Sequence, residues 1–187
     1  SLSILIHVFF IFQLQKSNVE DEIYVIDHTT TTQEAAGHTG GNYGKGGDFL
    51  YRWGNPQNYG RGTSNDKWLG DQHSINWIND GFPGAGNMIC YVNRYNGNRS
   101  AIVEFSPPLM NDGTYHIDFD EPYGPFLADW VFESSSDFDF SSNMQGGSFR
   151  LANGNTLITD CDSATIYEVD SEGSIQTYYD APGNVTL

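Results

Sequence analysis

Residues 71–94, DQHSINWINDGFPGAGNMICYVNR, hold the richest group of side chains able to do chemistry. His73 stands there beside Gln72 and ahead of a strand-like run at 75–78. Imidazole both attacks electrophiles and titrates near neutrality, so a histidine delivered by an inner strand to a channel suits nucleophilic or acid–base work. A histidine hydrogen-bonded within a loop is the other reading of the same residue. His28 ends the run 22–27 and precedes Thr29, Thr30, Thr31 and Thr32, while His38 sits among glycines. A second imidazole at His28 would orient the first or protonate a leaving oxygen, although a hydroxyl-rich stretch after a strand also makes a plain turn. His7 and His116 read as structural.

Segment 51–62 places Arg52 and Arg61 among aromatic and turn residues. Their paired donors suit an anionic group such as a sulfate, and the aromatics either stack on a phenolic ring or pack between strands. Asn76 and Arg94, from the same stretch as His73, join them as substrate-binding candidates. Asp160, Asp162, Asp170 and Glu172 lack the loop spacing of a calcium site and read as a solvated acidic rim, so no metal is expected. No cofactor is expected either. GxSxG, HExxH and GxxxxGK[ST] are absent, as is a dinucleotide fingerprint running from a strand into a helix.

The elements that must position these residues are strands. Eight Lys and Arg stand against 24 Asp and Glu, for a net charge of −16, which argues against nucleic acid and anionic membrane as partners. Charged residues are only 17% and aromatics 14%, so the chain can bury a core. Gly, Pro, Asn and Asp interrupt every helical period. Short runs rich in β-branched and aromatic residues stand at 22–26, 48–53, 88–92, 101–105, 148–151, 156–159, 165–169 and 175–179.

These runs repeat. Gly86-Asn87-Met88-Ile89-Cys90 matches Gly154-Asn155-Thr156-Leu157-Ile158, and the runs at 101–106 and 165–170 match each other and 22–27. Glycine-led outer strands follow two of the copies, at 47–53 and 173–179. The predicted fold is all-β, with a repeating turn, inner strand, middle strand and outer strand, as in a β-propeller. The Gly-Asn turns lie farther apart than the about 40–50 residues of a blade. The surplus falls at 106–144, an insertion with one strand, and a second insertion spans 29–46. The length suits a partial propeller of two to three blades, fewer than the four usually needed for closure.

Residues 2–14, LSILIHVFFIFQL, are too short for the about 20 residues of a membrane-spanning helix, so no transmembrane span is expected. Residues 1–20 read as an apolar leader or non-native end, loosely attached, and 21–187 as the partial propeller; both ends read as cut. Open blade edges predict self-association. Asn98-Arg99-Ser100 and Asn184-Val185-Thr186 are glycosylation sequons for a secreted chain. Cys90 and Cys161 either form one disulfide or remain two free thiols.

The string Tyr24-Val25-Ile26-Asp27-His28 with its threonines, then residues 46–56 (GGDFLYRWGNP), then Gln72-His73, then residues 154–159 (GNTLIT), resembles the arylsulfotransferase (aryl-sulfate sulfotransferase) family. The resemblance covers residues 20–180, with several long motifs in order. It implies a six-bladed propeller, of which this chain is a fragment, that moves a sulfuryl group from a phenolic sulfate to a phenol through a sulfated histidine, with no nucleotide sulfate donor. His73 matches the nucleophile region, and localisation outside the cytoplasm is expected. In the family, further histidines and an arginine from earlier blades complete the pocket. Here residues 15–20 carry no arginine and residues 145–148 no histidine, so the isolated fragment is expected to be inactive. The competing reading is a secreted, non-catalytic propeller whose acidic, glycosylated surface binds a protein or glycan.

Overall fold

The computed structural model describes residues 20–180. The apolar segment at 2–14 and the Asn184 sequon lie outside these residues. In chain order the elements are β1 (Ile23–Ile26), a short helix α1 (Thr32–Ala35), β2 (Phe49–Trp53), β3 (Gln72–Trp77), β4 (Met88–Asn96), β5 (Arg99–Phe105), β6 (Trp130–Glu133), β7 (Gly146–Arg150), β8 (Thr156–Asp160), β9 (Thr165–Val169) and β10 (Ile175–Asp180). They form one two-stranded sheet, β1–β2, and two four-stranded sheets, β3–β4–β5–β6 and β7–β8–β9–β10, with every pairing antiparallel. The all-β expectation holds at this level. The chain divides into two compact units, one running up to Trp68 and including Pro107–Phe126, the other comprising Leu69–Ser106 and the chain from Leu127 onward.

In the first unit Ile23 and Val25 alternate inward on β1, and Leu50, Tyr51 and Trp53 are buried on β2. Half of the predicted 106–144 insertion covers them. Tyr51 stacks on Tyr115 at 4.8 Å and donates to the Gly124 carbonyl at 2.7 Å, and Trp53 Nε1 donates to the Pro125 carbonyl at 2.9 Å. The threonine run is more than a turn. Thr31 caps α1 in a reciprocal box with Glu34, and the Asp27 carboxylate accepts from the Thr29 and Tyr43 amides. Gly41 (φ +70°) passes against that carboxylate, where a Cβ would collide with Oδ2. Burial acts to raise the Asp27 carboxyl, but these hydrogen bonds outweigh it and hold the group below its usual range.

The second unit contains the repeat. Met88 pairs with Phe105 and Val92 with Ala101; in the next sheet Thr156 pairs with Val169 and Asp160 with Thr165, which is the same register at the positions matched in sequence. The turn asparagine and a strand glutamate lock each copy. Asn87 Nδ2 donates to Glu104 at 2.8 Å, and Asn155 Nδ2 to Glu168 at 2.7 Å. A strand precedes each Gly-Asn turn, β3 over the expected run at 75–78 and β7 over that at 148–151, and with it each sheet is four-stranded. The polar start of β3 and the glycine-led start of β7 carry little strand signal, so both strands begin earlier than those runs.

Between the two sheets lies a core of Ile78, Ile89, Tyr91, Ile102, Phe140, Ile158 and Val169. Segment 134–145, the rest of the insertion, threads through it: Phe140 stacks on Phe132 at 5.4 Å and its carbonyl accepts from Tyr91 Oη. Glu104 on β5 also pairs with Arg150 on β7, both side chains being 7% exposed, and the Arg150 guanidinium lies 5.4 Å from the Trp130 ring. Truncating one partner of a buried pair strands the other charge. Glu104→Ala should therefore lower unfolding stability by about 3–5 kcal/mol, measured by urea denaturation followed through tryptophan fluorescence. An unchanged midpoint would show that Arg150 is solvated without Glu104.

Candidate functional site

His73 lies inside β3 rather than ahead of a strand. It pairs with Tyr91 on β4, and Asn76 pairs with Ile89, so that Ser74 and Ile75 both stand opposite Cys90 alone. This is a β-bulge, which bends the strand and re-aims its side chains. Ser74 adopts a left-handed backbone (φ +52°), and so does Asp71 (φ +49°) just ahead of the strand. For residues other than glycine such conformations cost about 1–3 kcal/mol each, and they persist where the surroundings enforce them.

The surroundings here are β7 and β4. Asn76 Nδ2 donates to the Ser74 carbonyl and to the Ser148 carbonyl on β7, each at 2.8 Å. Gly146 lets β7 approach this closely, because a Cβ there would strike the Tyr91 ring. At the start of β3, Arg94 Nε reaches Asp71 Oδ2 at 3.1 Å, while the Arg94 amide donates to the Gly70 carbonyl at 3.0 Å. The structure thus brings His73, Asn76 and Arg94 to one irregular strand and its neighbours. The Ser148 contribution, distant in sequence, carries no sequence signal.

His73 is half-buried. Burial lowers its basicity, and the nearby Asp71 carboxylate opposes that only in part. Lowered basicity favours the neutral imidazole, the form in which a ring nitrogen offers a lone pair.

The remaining candidates belong to the first unit. His28 is exposed just past β1. Arg52 grips the buried Glu22 carboxylate through Nε at 3.1 Å and Nη2 at 2.7 Å, and its guanidinium lies 4.6 Å from the Tyr59 ring and 5.5 Å from the Tyr24 ring. Arg61 donates to the Asp118 and Glu121 carbonyls, tying down the 107–126 segment. Both arginines hold structural partners. Among the described residues no cluster of His, Cys, Asp and Glu is arranged to hold a metal ion. Asn98 is exposed in the tight turn between β4 and β5, whereas Ser100 of its sequon is buried with its hydroxyl bonded to the Asn93 carbonyl. Cys90, buried on β4, and Cys161, exposed after β8, are both free thiols.

A histidine with depressed basicity contributes stability that is complete above the ordinary value of about 6.5 and is lost as pH falls through its lower folded-state value. His73 should accordingly titrate below the ordinary histidine value of about 6.5 when its ring protons are followed by NMR. A His73 midpoint at or above that ordinary value of about 6.5 would mean that the imidazole is solvated.

The chain matches no family model, and no curated protein matches it in sequence.

Proposed function

We propose that the two four-stranded sheets are successive blades of an arylsulfotransferase-type, six-bladed propeller and that His73 is its nucleophile. The observation that carries this reading is the half-buried imidazole at the strained bulge of β3, the first strand of its sheet. The order of motifs that resemble that family's and the identical register of β4–β5 and β8–β9 support it.

In the proposed reaction a ring nitrogen of His73 attacks the sulfur of a phenolic sulfate. The sulfur–oxygen bond to the aryl group breaks, and the phenolate leaves and takes up a proton. A second phenol then attacks the sulfohistidine through its oxygen and loses its proton, which regenerates the imidazole. Cationic and amide donors would offset charge developing on the sulfuryl oxygens. Arg94 on β4, 58% exposed and paired through Nε with Asp71 just ahead of β3, is the candidate cation of the second unit. Small phenolic sulfates and phenols are the partners, with no resident cofactor, in a compartment outside the cytoplasm where Asn98 could carry a glycan.

The engagement of Arg52 by Glu22 and of Arg61 by backbone carbonyls favours the second reading, a secreted propeller that binds a protein or glycan without catalysis. Intact-protein mass spectrometry after incubation of the full-length protein with 4-nitrophenyl sulfate separates the two. The mass of one sulfuryl group should appear on the wild type and on His28→Asn but not on His73→Asn, and transfer should fall by several orders of magnitude in His73→Asn with folding little changed. An adduct that persists in His73→Asn places the nucleophile elsewhere. No adduct on any folded variant supports the binding reading.

A further inference from the structure

We infer that Asn76 is a positioning residue: its side-chain amide clamps the β3 bulge to β7 and so holds His73 in its half-buried setting. An asparagine amide has two N–H groups. Both are engaged here, one by the Ser74 carbonyl within the bulge and one by the Ser148 carbonyl on the neighbouring sheet, each at 2.8 Å. The orientation is unambiguous on chemical grounds, because the reversed amide would set its own oxygen against two carbonyl oxygens at the same distance. Asn76 consequently has no hydrogen left to donate to a sulfate oxygen. Its contribution to the site runs through the backbone.

That contribution has a clear target. Ser74, whose carbonyl Asn76 holds, is the residue immediately after His73 and the one in the left-handed conformation. Such a conformation relaxes unless contacts over-determine it. Gly147 leaves room at the same spot: a Cβ there would stand 3.6 Å from Ser74 Oγ and clash with Thr159 Oγ1. Ser148 is fully buried, so its carbonyl is shielded from solvent and without Asn76 would lose a partner that water cannot easily replace. The Asn76 amide is thus the hydrogen-bonded link between the rigid, buried β7 backbone and the strained residue that sets the direction of His73.

The functional meaning of the clamp rests on His73 being the reacting group, but its existence does not, and the test needs no sulfate donor. Asn76→Ala removes both donors without adding a charge beside Asp71, and Asn76→Ser retains one. In NMR titrations the His73 midpoint should move up towards that of an exposed histidine in Asn76→Ala and less far in Asn76→Ser. Amide exchange at Ser74 and Ile75 should quicken by about tenfold or more, as expected for the loss of two hydrogen bonds, while exchange at Ile102 in the sheet centre stays close to wild type. A role confined to global stability would instead quicken Ile102 equally and leave the His73 midpoint unmoved, and either result overturns the proposal. If Asn76→Ala does not fold, Asn76→Ser alone decides by the same two measurements. Should the clamp be verified and His73 still take no sulfuryl group, the proposed reaction fails and the positioning role stands.

Discussion

Two opposite charges in a dry place govern the second unit. Glu104 and Arg150 come from different sheets, and each is almost wholly withdrawn from water. Neither charge is tolerable there without the other, so the sheets can pack only where β5 and β7 bring the two together. Around this pair the other contacts fall into place: Asn87 satisfies a second position on Glu104, Trp130 lies beside the guanidinium, and the Trp130 indole donates to the Ser171 carbonyl at the far turn of the next sheet. The apolar core is less particular. Leucine-sized and phenyl groups repack with modest loss, whereas a buried ion pair has one acceptable arrangement.

With the sheets so aligned, the edge strands β3 and β7 become neighbours, and their differences acquire significance. β4–β5 and β8–β9 share a register and an asparagine–glutamate lock, so the middle of each sheet is a repeated scaffold. The first strands depart from repetition. β7 is regular from Gly146 to Arg150, while β3 carries an extra residue and a left-handed serine. Regularity on one side supplies the fixed carbonyl against which irregularity on the other is held. Strain placed in this way beside an imidazole is the usual mark of a site whose geometry is maintained by its surroundings.

The strands were legible where short runs of β-branched and aromatic residues stand between turns, as in residues 88–92 and 101–105, which are buried throughout, and 165–169. β3 was legible only from residue 75, because Gln72, His73 and Ser74 are polar and the bulge breaks the two-residue period there. The insertion at 106–144 was visible as a compositional change, but its division between two units was not, since that division depends on Tyr51, Trp53 and Arg61 reaching backbone carbonyls far along the chain. At the site, His73 was singled out by its residue type, its place ahead of a strand-like run and the resemblance of Gln72-His73 to a family motif. The engagement of Arg52 by Glu22, and of Asn76 by Ser148, arises from cross-strand and inter-sheet proximity, which spacing in the chain does not encode.

The path of the chain through the two units has its own consequence. After β5 it leaves the second unit at Ser106, contributes Pro107–Phe126 to the first, and only then returns to supply β6. No single cut can therefore release either unit as a continuous piece. The β5 edge that β6 covers is completed by a strand that follows residues 107–126 in the chain. Proteolytic nicking at 106–107 would leave both units assembled from two fragments held by packing alone, whereas nicking at 126–127 would leave only the second unit so assembled.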